Sequence, residues 1–200
     1  MTKRILHTTT AGMVEDVRRL VEISSPTYDL EAVSRVIAEA NRQIKERLSV
    51  AGVVKIVEGR PLLHWGSTNP SILLLCHLDT VWPHGSFTPD WEIDGDRMRG
   101  PGVFDMKAGF VQGMHAIASL RSEFEEELDQ VALLATSDEE TGSASSRHYL
   151  EEVAAGAKAV FVLESSIDGK LKTSRSGTSM YRLEVIGKQL GLRENARVHV

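Results

Sequence analysis

Apolar residues recur at helical spacing along the start of the chain. Val14, Val17, Leu20, Val21 and Ile23 fall on one face and predict a helix over 11–24, stopped by Ser25-Pro26. Leu30, Val33, Ile37, Ile44 and Leu48 predict a second helix from Leu30 to Ala51, ended by Gly52. The pattern then shortens, with strands predicted at 53–57 (VVKIV) and 62–65 (LLHW). Three continuous apolar runs follow, ILLLC at 72–76, VALLA at 131–135 and AVFVL at 159–163, separated by helical segments at 106–121 and 143–155. Such runs suit strands buried on both faces, and their alternation with helices predicts an α/β fold. Its sheet is largely parallel, flanked by helices and built from right-handed βαβ units. Asp94-Gly95-Asp96 reads as a hairpin turn. Residues 171–187 read as two antiparallel strands that begin another domain. No repeat or low-complexity stretch interrupts the pattern.

The ends of the three apolar runs carry the candidate chemistry. ILLLC leads into His77 and Asp79, VALLATSD into Glu139 and Glu140, and AVFVL into Glu164. Sites of open α/β sheets lie at the carboxyl ends of the strands, so five ionisable groups, four of them acidic, are expected to converge there. A crowd of buried carboxylates is costly without cations. His with carboxylates suits a borderline ion such as Zn²⁺. His77 and Asp79 are two apart and share a face of an extended segment, so Asp79 can fix the imidazole tautomer. Adjacent Glu139 and Glu140 diverge, leaving one to ligate and the other to act as a base. Asp105, in the glycine-rich loop GPGVFDMKAG, can bridge two ions, which in two-metal hydrolases sit roughly 3.5–4 Å apart.

Taken singly, each of these has an ordinary structural reading. Asp105 reads as a helix cap, Glu139-Glu140 as a solvated loop, Glu164 as a surface carboxylate, His77 as a structural histidine and Asp138 as turn chemistry. It is their repetition at three strand ends that points to a metal. His64, His84, His115 and His148 show no comparable acidic partner pattern and read as non-ligands; the acidic run Glu123–Asp129 reads as a solvated helix end.

Composition narrows the alternatives. With 42% hydrophobic and 26% charged residues in 200, the chain reads as an ordinary globular protein. A net charge of −5 gives no electrostatic footprint for nucleic acid or an anionic membrane. No apolar run approaches the ~18 residues of a membrane span, and the start lacks the apolar stretch of a secretory signal, so a cytoplasmic setting is expected. The single cysteine, Cys76, lies within an apolar run and reads as a buried inert thiol. No G-x-G-x-x-G follows a strand, which argues against a dinucleotide-binding domain.

The stretches LLLCHLDTVWP, RGPGVFDMKAG, ATSDEETGS and VFVLESS, in that order, resemble the dizinc peptidase and deacylase family that includes glutamate carboxypeptidase, acetylornithine deacetylase and succinyl-diaminopimelate desuccinylase. The wording is nearest the glutamate carboxypeptidase branch, and the resemblance covers residues 10–188. It implies a zinc-exopeptidase-like fold and a metal-dependent hydrolase with two Zn²⁺; Co²⁺ or Mn²⁺ suit the same donors. By the resemblance, His77 and Glu164 ligate one zinc, Glu140 ligates the other, and Asp105 bridges both. Glu139 and Asp79 form the catalytic pair, Glu139 as the general base on the attacking water and Asp79 orienting His77. The implied substrates are small peptides or N-acyl amino acids with a C-terminal glutamate-like group, and full-length relatives are homodimers.

Family members are longer, with an inserted lid (dimerisation) domain and a returning segment that supplies a last histidine ligand. The resemblance therefore assigns 1–174 to the amino-terminal part of the catalytic domain and 175–200 to the beginning of the lid. Where members read roughly G-x-x-x-H-A-G, this chain reads GKQLGLRENARVHV, and the pattern breaks at about Gln189. That break reads as a frameshifted or truncated frame, with a shortened paralogue as the bland alternative. The chain alone is then expected to be nearly inactive. A catalytically inert metal-binding fragment or interaction remnant is the second functional reading.

Overall fold

The computed structural model describes residues 9–121, 127–172, 174, 176 and 177. The chain divides into two compact units, Met1–Ser165 and Ser166–Val200. In the first, α1 (Thr10–Val21) starts at Thr9, whose side chain accepts from the Gly12 amide, and α2 (Leu30–Leu48) starts at Asp29, which accepts from the Ala32 amide. Each cap meets backbone donors that the first turn leaves unpaired. Both helices stop short of the sequence expectation. The α1 backbone ends before Ser25-Pro26, and Ser49 ends α2 in the left-handed region.

Among the described residues there are seven strands: β1 (Val53–Val57), β2 (Arg60–Gly66), β3 (Ile72–His77), β4 (Glu92–Asp94), β5 (Arg97–Arg99), β6 (Val131–Thr136) and β7 (Ala159–Val162). The main sheet has the order β1-β2-β6-β3-β7. Strands β6, β3 and β7 run parallel, and β1 and β2 join as an antiparallel hairpin beside β6. The parallel part is thus the half that carries the candidate residues. β4 and β5 form a separate hairpin about Gly95, whose φ is 60°.

β6 is buried at all six positions because it lies between two neighbours and under helices on both faces. Alternate residues divide between two clusters, as the period of a strand demands. Leu133 and Ala135 join Leu63, Trp65 and Cys76 under α1, α2 and α3 (Ala108–Leu120), while Ala132 and Leu134 join Leu62 and Leu73 under Val153 of α4 (Arg147–Ala154). Cys76 is buried, and burial pushes its thiol well above the usual range, in keeping with an inert packing role.

Three helices meet at one buried charge. The Asp16 carboxylate of α1 accepts from Arg47 Nε of α2 at 2.8 Å and lies 2.7 Å from His115 Nε2 of α3. Burial pushes this carboxyl up, but hydrogen bonds from His115 and Arg47 outweigh it and hold the pKa below the ordinary value. Among the described residues no helix is long and apolar enough to cross a membrane. In the second unit, Ile167 and Lys170 close a small turn through Asp168 and Gly169, both at positive φ. Most of the antiparallel strands expected over 171–187, the lid region from 175 and much of the Glu123–Asp129 run lie outside the described residues.

Two outcomes follow from this packing. Asp16→Ala leaves Arg47 and His115 around a lost buried charge and is expected to cost about 3–5 kcal/mol in urea unfolding. Because the native Asp16 pKa is depressed, its contribution is complete above the unfolded carboxyl range and lost as pH falls through the native value; the variant should lose less stability on acidification. At the start of α3, an ideal Cβ on Gly109 would lie 2.0 Å from the Leu163 carbonyl oxygen. Gly109→Ala should therefore destabilise by about 1–3 kcal/mol, the usual cost of overpacking, read as a lowered urea midpoint.

Candidate metal centre

The last residue of β3 is His77, and its buried ring is the centre of the cluster. Nε2 lies 2.9 Å from Asp105 Oδ1, 3.3 Å from Glu164 Oε1 and 3.9 Å from Glu139 Oε2. Nδ1 lies 3.1 Å from the Asp79 backbone carbonyl and 3.4 Å from Asp79 Oδ1. Glu164 arrives two residues beyond β7, and Glu139 and Glu140 follow β6 on a short 3₁₀ turn. Asp105 sits on a π-type turn, Val103–Lys107, with extended backbone angles at its own position. Its loop needs Gly102, where φ is 76° and a Cβ would lie 2.7 Å from Thr80 Cγ2. Asp105 does not cap α3, whose cap position is Lys107 and carries no side-chain cap bond.

Asp79 is fully buried and holds this arrangement from beneath. Its carboxylate accepts from the amides of Glu139 (3.3 Å) and Glu140 (3.2 Å) and from the Thr27 hydroxyl (2.8 Å). Burial pushes its pKa up, but His77, Thr27 and the Glu140 amide outweigh burial and keep it low. Burial likewise pushes the His77 ring down, while Asp105, Asp79 and Glu164 overcome it and raise its pKa to about 12. Glu140 is raised to about 7, first by burial and then by Asp105, Asp79 and Glu139; Glu139 is raised by burial and by the neighbouring acids.

A donor set with this imbalance fits a divalent cation. Two triplets, His77 with Glu139 and Glu164 and His77 with Asp105 and Glu140, place one ligand atom from each residue within 4.8 Å of the others. One imidazole facing four side-chain carboxylates is the mixture of N and O donors that zinc and its neighbours take. The triplets share His77 and divide the acids differently from the resemblance, which pairs Glu164 and Asp105 with His77.

Three supporting residues had no role at the site assigned from the sequence. Ser25 Oγ donates to the Leu78 carbonyl at 2.8 Å. The Arg60 guanidinium donates to the Thr27 carbonyl (2.7 Å) and the Ser137 carbonyl (2.8 Å), joining two loops. The Lys107 ammonium, wholly buried, donates to the carbonyls of Leu20 (3.0 Å) and Ile23 (3.1 Å), and burial lowers its pKa to about 7. Only Lys107 lay inside a motif. The others act through partners that no local spacing reveals. Asp138 accepts from the Ser145 and Ser146 amides, the turn chemistry its sequence implied. Three histidines without an acidic pattern in the sequence do meet acids, His115 at Asp16, His84 at Asp29 (2.9 Å) and His148 at Glu58 (3.8 Å), because folding brings those acids from distant segments. His64 contacts the Tyr149 hydroxyl and the Ser67 carbonyl.

The chain matches the model of peptidase family M20/M25/M40 over residues 73–186. It is 28% identical over 192 residues to carboxypeptidase G2 of Pseudomonas sp. (strain RS-16), an alignment covering 88% of this chain and 45% of that protein. Among solved structures, the M20 family metallo-carboxypeptidase Sso-CP2 of Sulfolobus solfataricus superposes with a TM-score of 0.59 at 19% identity, over 75% of this chain and 36% of that one. Human carnosine dipeptidase 1 gives 0.56 at 17% identity, over 75% and 38%. The chain spans less than half the length of these relatives, and at such identities the structural likeness speaks for the fold. The family match covers β3, the Asp105 turn, β6 and β7, all four segments that build the cluster, and this chain belongs to peptidase family M20/M25/M40.

Proposed function

We propose that the protein is a zinc-dependent hydrolase that cleaves the amide bond of small peptides or N-acyl amino acids carrying a C-terminal, glutamate-like carboxylate. The observation that carries this reading is the buried His77 ring with Asp105, Glu139 and Glu164 oxygens around one nitrogen at the ends of parallel strands. The name of the relative carboxypeptidase G2 supports the choice of a free C-terminal carboxylate.

In this reading His77, Asp105, Glu140 and Glu164 hold two zinc ions, and Co²⁺ or Mn²⁺ can take their place. Bound zinc lowers the pKa of a water from 15.7 toward about 7 and polarises the scissile carbonyl. Glu139 keeps about half of its side chain exposed to solvent. There it removes a proton from the attacking water and delivers it to the leaving amine, a role that needs hydrogen-bond reach to both. Asp79 is fully buried. It positions the imidazole of His77 and the backbone of Glu139 and Glu140.

Two variants separate these roles. In a complete version of the enzyme, Glu139→Gln should keep its zinc and lose on the order of 10²–10⁴-fold in kcat on an N-acyl-glutamate, the usual contribution of a positioned general base. Glu140→Gln should instead lose metal, counted by mass spectrometry of the native protein. Equal zinc loss in both would contradict the assignment. A second outcome concerns binding itself. Zinc should raise the thermal midpoint of the unaltered chain in a concentration-dependent way, and His77→Ala should abolish that rise.

A further inference from the structure

The connection between α1 and α2 is built into the candidate metal centre although it carries no ligand. Its Ser25 carbonyl accepts from the Thr80 amide at 2.9 Å, its Thr27 amide donates to the Thr80 carbonyl at 3.2 Å, and Pro26 bridges to Thr80. Arg60 holds the Thr27 carbonyl and the Ser137 carbonyl together. Thr27 is thus fixed at both backbone polar groups, buried, and set directly against Asp79.

We infer that Thr27 is a positioning residue of this centre: its buried hydroxyl fixes the Asp79 carboxylate and, through it, the backbone of Glu139 and Glu140. The inference rests on reading the cluster as a metal centre. The hydroxyl has one proton and two acceptors in reach, Asp79 Oδ2 at 2.8 Å and the Thr80 carbonyl at 3.3 Å. The carboxylate is nearer and charged, so it takes the proton. Asp79 Oδ2 then receives the hydroxyl and the Glu140 amide, while Oδ1 receives the Glu139 amide and faces His77 Nδ1. Both amide contacts are long, 3.2 and 3.3 Å, and neither alone fixes the rotation of the carboxylate about its Cβ–Cγ bond. The Thr27 bond is the shortest and comes from a side chain anchored on another loop. Removing it frees the carboxylate to turn, and the two acidic residues after β6 lose their common acceptor.

The test uses Thr27→Val, which keeps the shape and removes the donor, and Thr27→Ser, which restores it; Thr27→Ala should match the valine variant. Amide exchange is measured on the metal-free chain. In Thr27→Val the Glu139 and Glu140 amides should exchange roughly tenfold faster or more, as for loss of one hydrogen bond to a charged group. The Leu78 amide, bonded to the Thr136 carbonyl, should be unchanged. Zinc titration by calorimetry should show binding weakened about 10–100-fold in Thr27→Val, the range for partners that orient ligands. Thr27→Ser should stay close to the unaltered chain in both measurements. Unchanged exchange and zinc binding in Thr27→Val would overturn the inference, as would equal losses in Val and Ser or faster exchange at Leu78 as well. An unaltered chain that binds no zinc would instead overturn the metal-centre reading, while exchange at Glu139 and Glu140 would still decide whether Thr27 positions Asp79.

Discussion

Gathering carboxylates at one end of a sheet is the constraint on which the rest depends. Asp79, Asp105, Glu139, Glu140 and Glu164 meet around the single imidazole of His77. In a partly desolvated site such charges repel one another and each loses hydration, a cost that only cations or hydrogen bonds offset. The raised positions of His77 and Glu140 are the protein's own response to that crowding. A divalent ion answers it more completely, because its charge is fixed and its ligands share it.

Asp79 shows how the fold separates the acids into kinds. It is buried and meets three donors, so it stays ionised and immobile, whereas Glu139 and Asp105 keep about half of their side chains open to solvent. The buried acid is held by its donors; the open ones face solvent. Beside them a cavity of about 370 Å³ includes Trp82, Phe87, Phe104, Asp105 and Glu140 in its wall, so apolar surface adjoins the charged cluster. That combination of apolar wall and a few polar groups is what ligand sites commonly present.

The scaffold stiffens this arrangement at a distance from it. The Asp16 cluster locks α1, α2 and α3 together. Lys107 ties the end of α1 to the Asp105 turn, and the α1–α2 connection in turn touches the loop after β3 and is joined through Arg60 to the loop after β6. The loops after β3 and β6 and the Asp105 turn are therefore tied to the same corner, which lets irregular backbone hold charged groups in fixed places.

The sequence by itself determined the elements and the chemistry they carry. Period 3.6 marked α1 and α2, uninterrupted apolar runs marked β3, β6 and β7, and the residues at the ends of those runs were His77, Glu139, Glu140 and Glu164. These features are local: burial of a face or of a whole strand is written in consecutive residues. Tertiary structure alone decided that β6 inserts between β2 and β3, making half the sheet antiparallel. It also decided that His115 finds Asp16, and that Thr27 and Arg60 support Asp79 and its neighbours across 52 and 77 residues of chain. Periodicity reports that a face is buried and does not name its partner. A hydrogen bond between distant segments leaves no spacing in the sequence, and only the packed chain brings its donor to its acceptor.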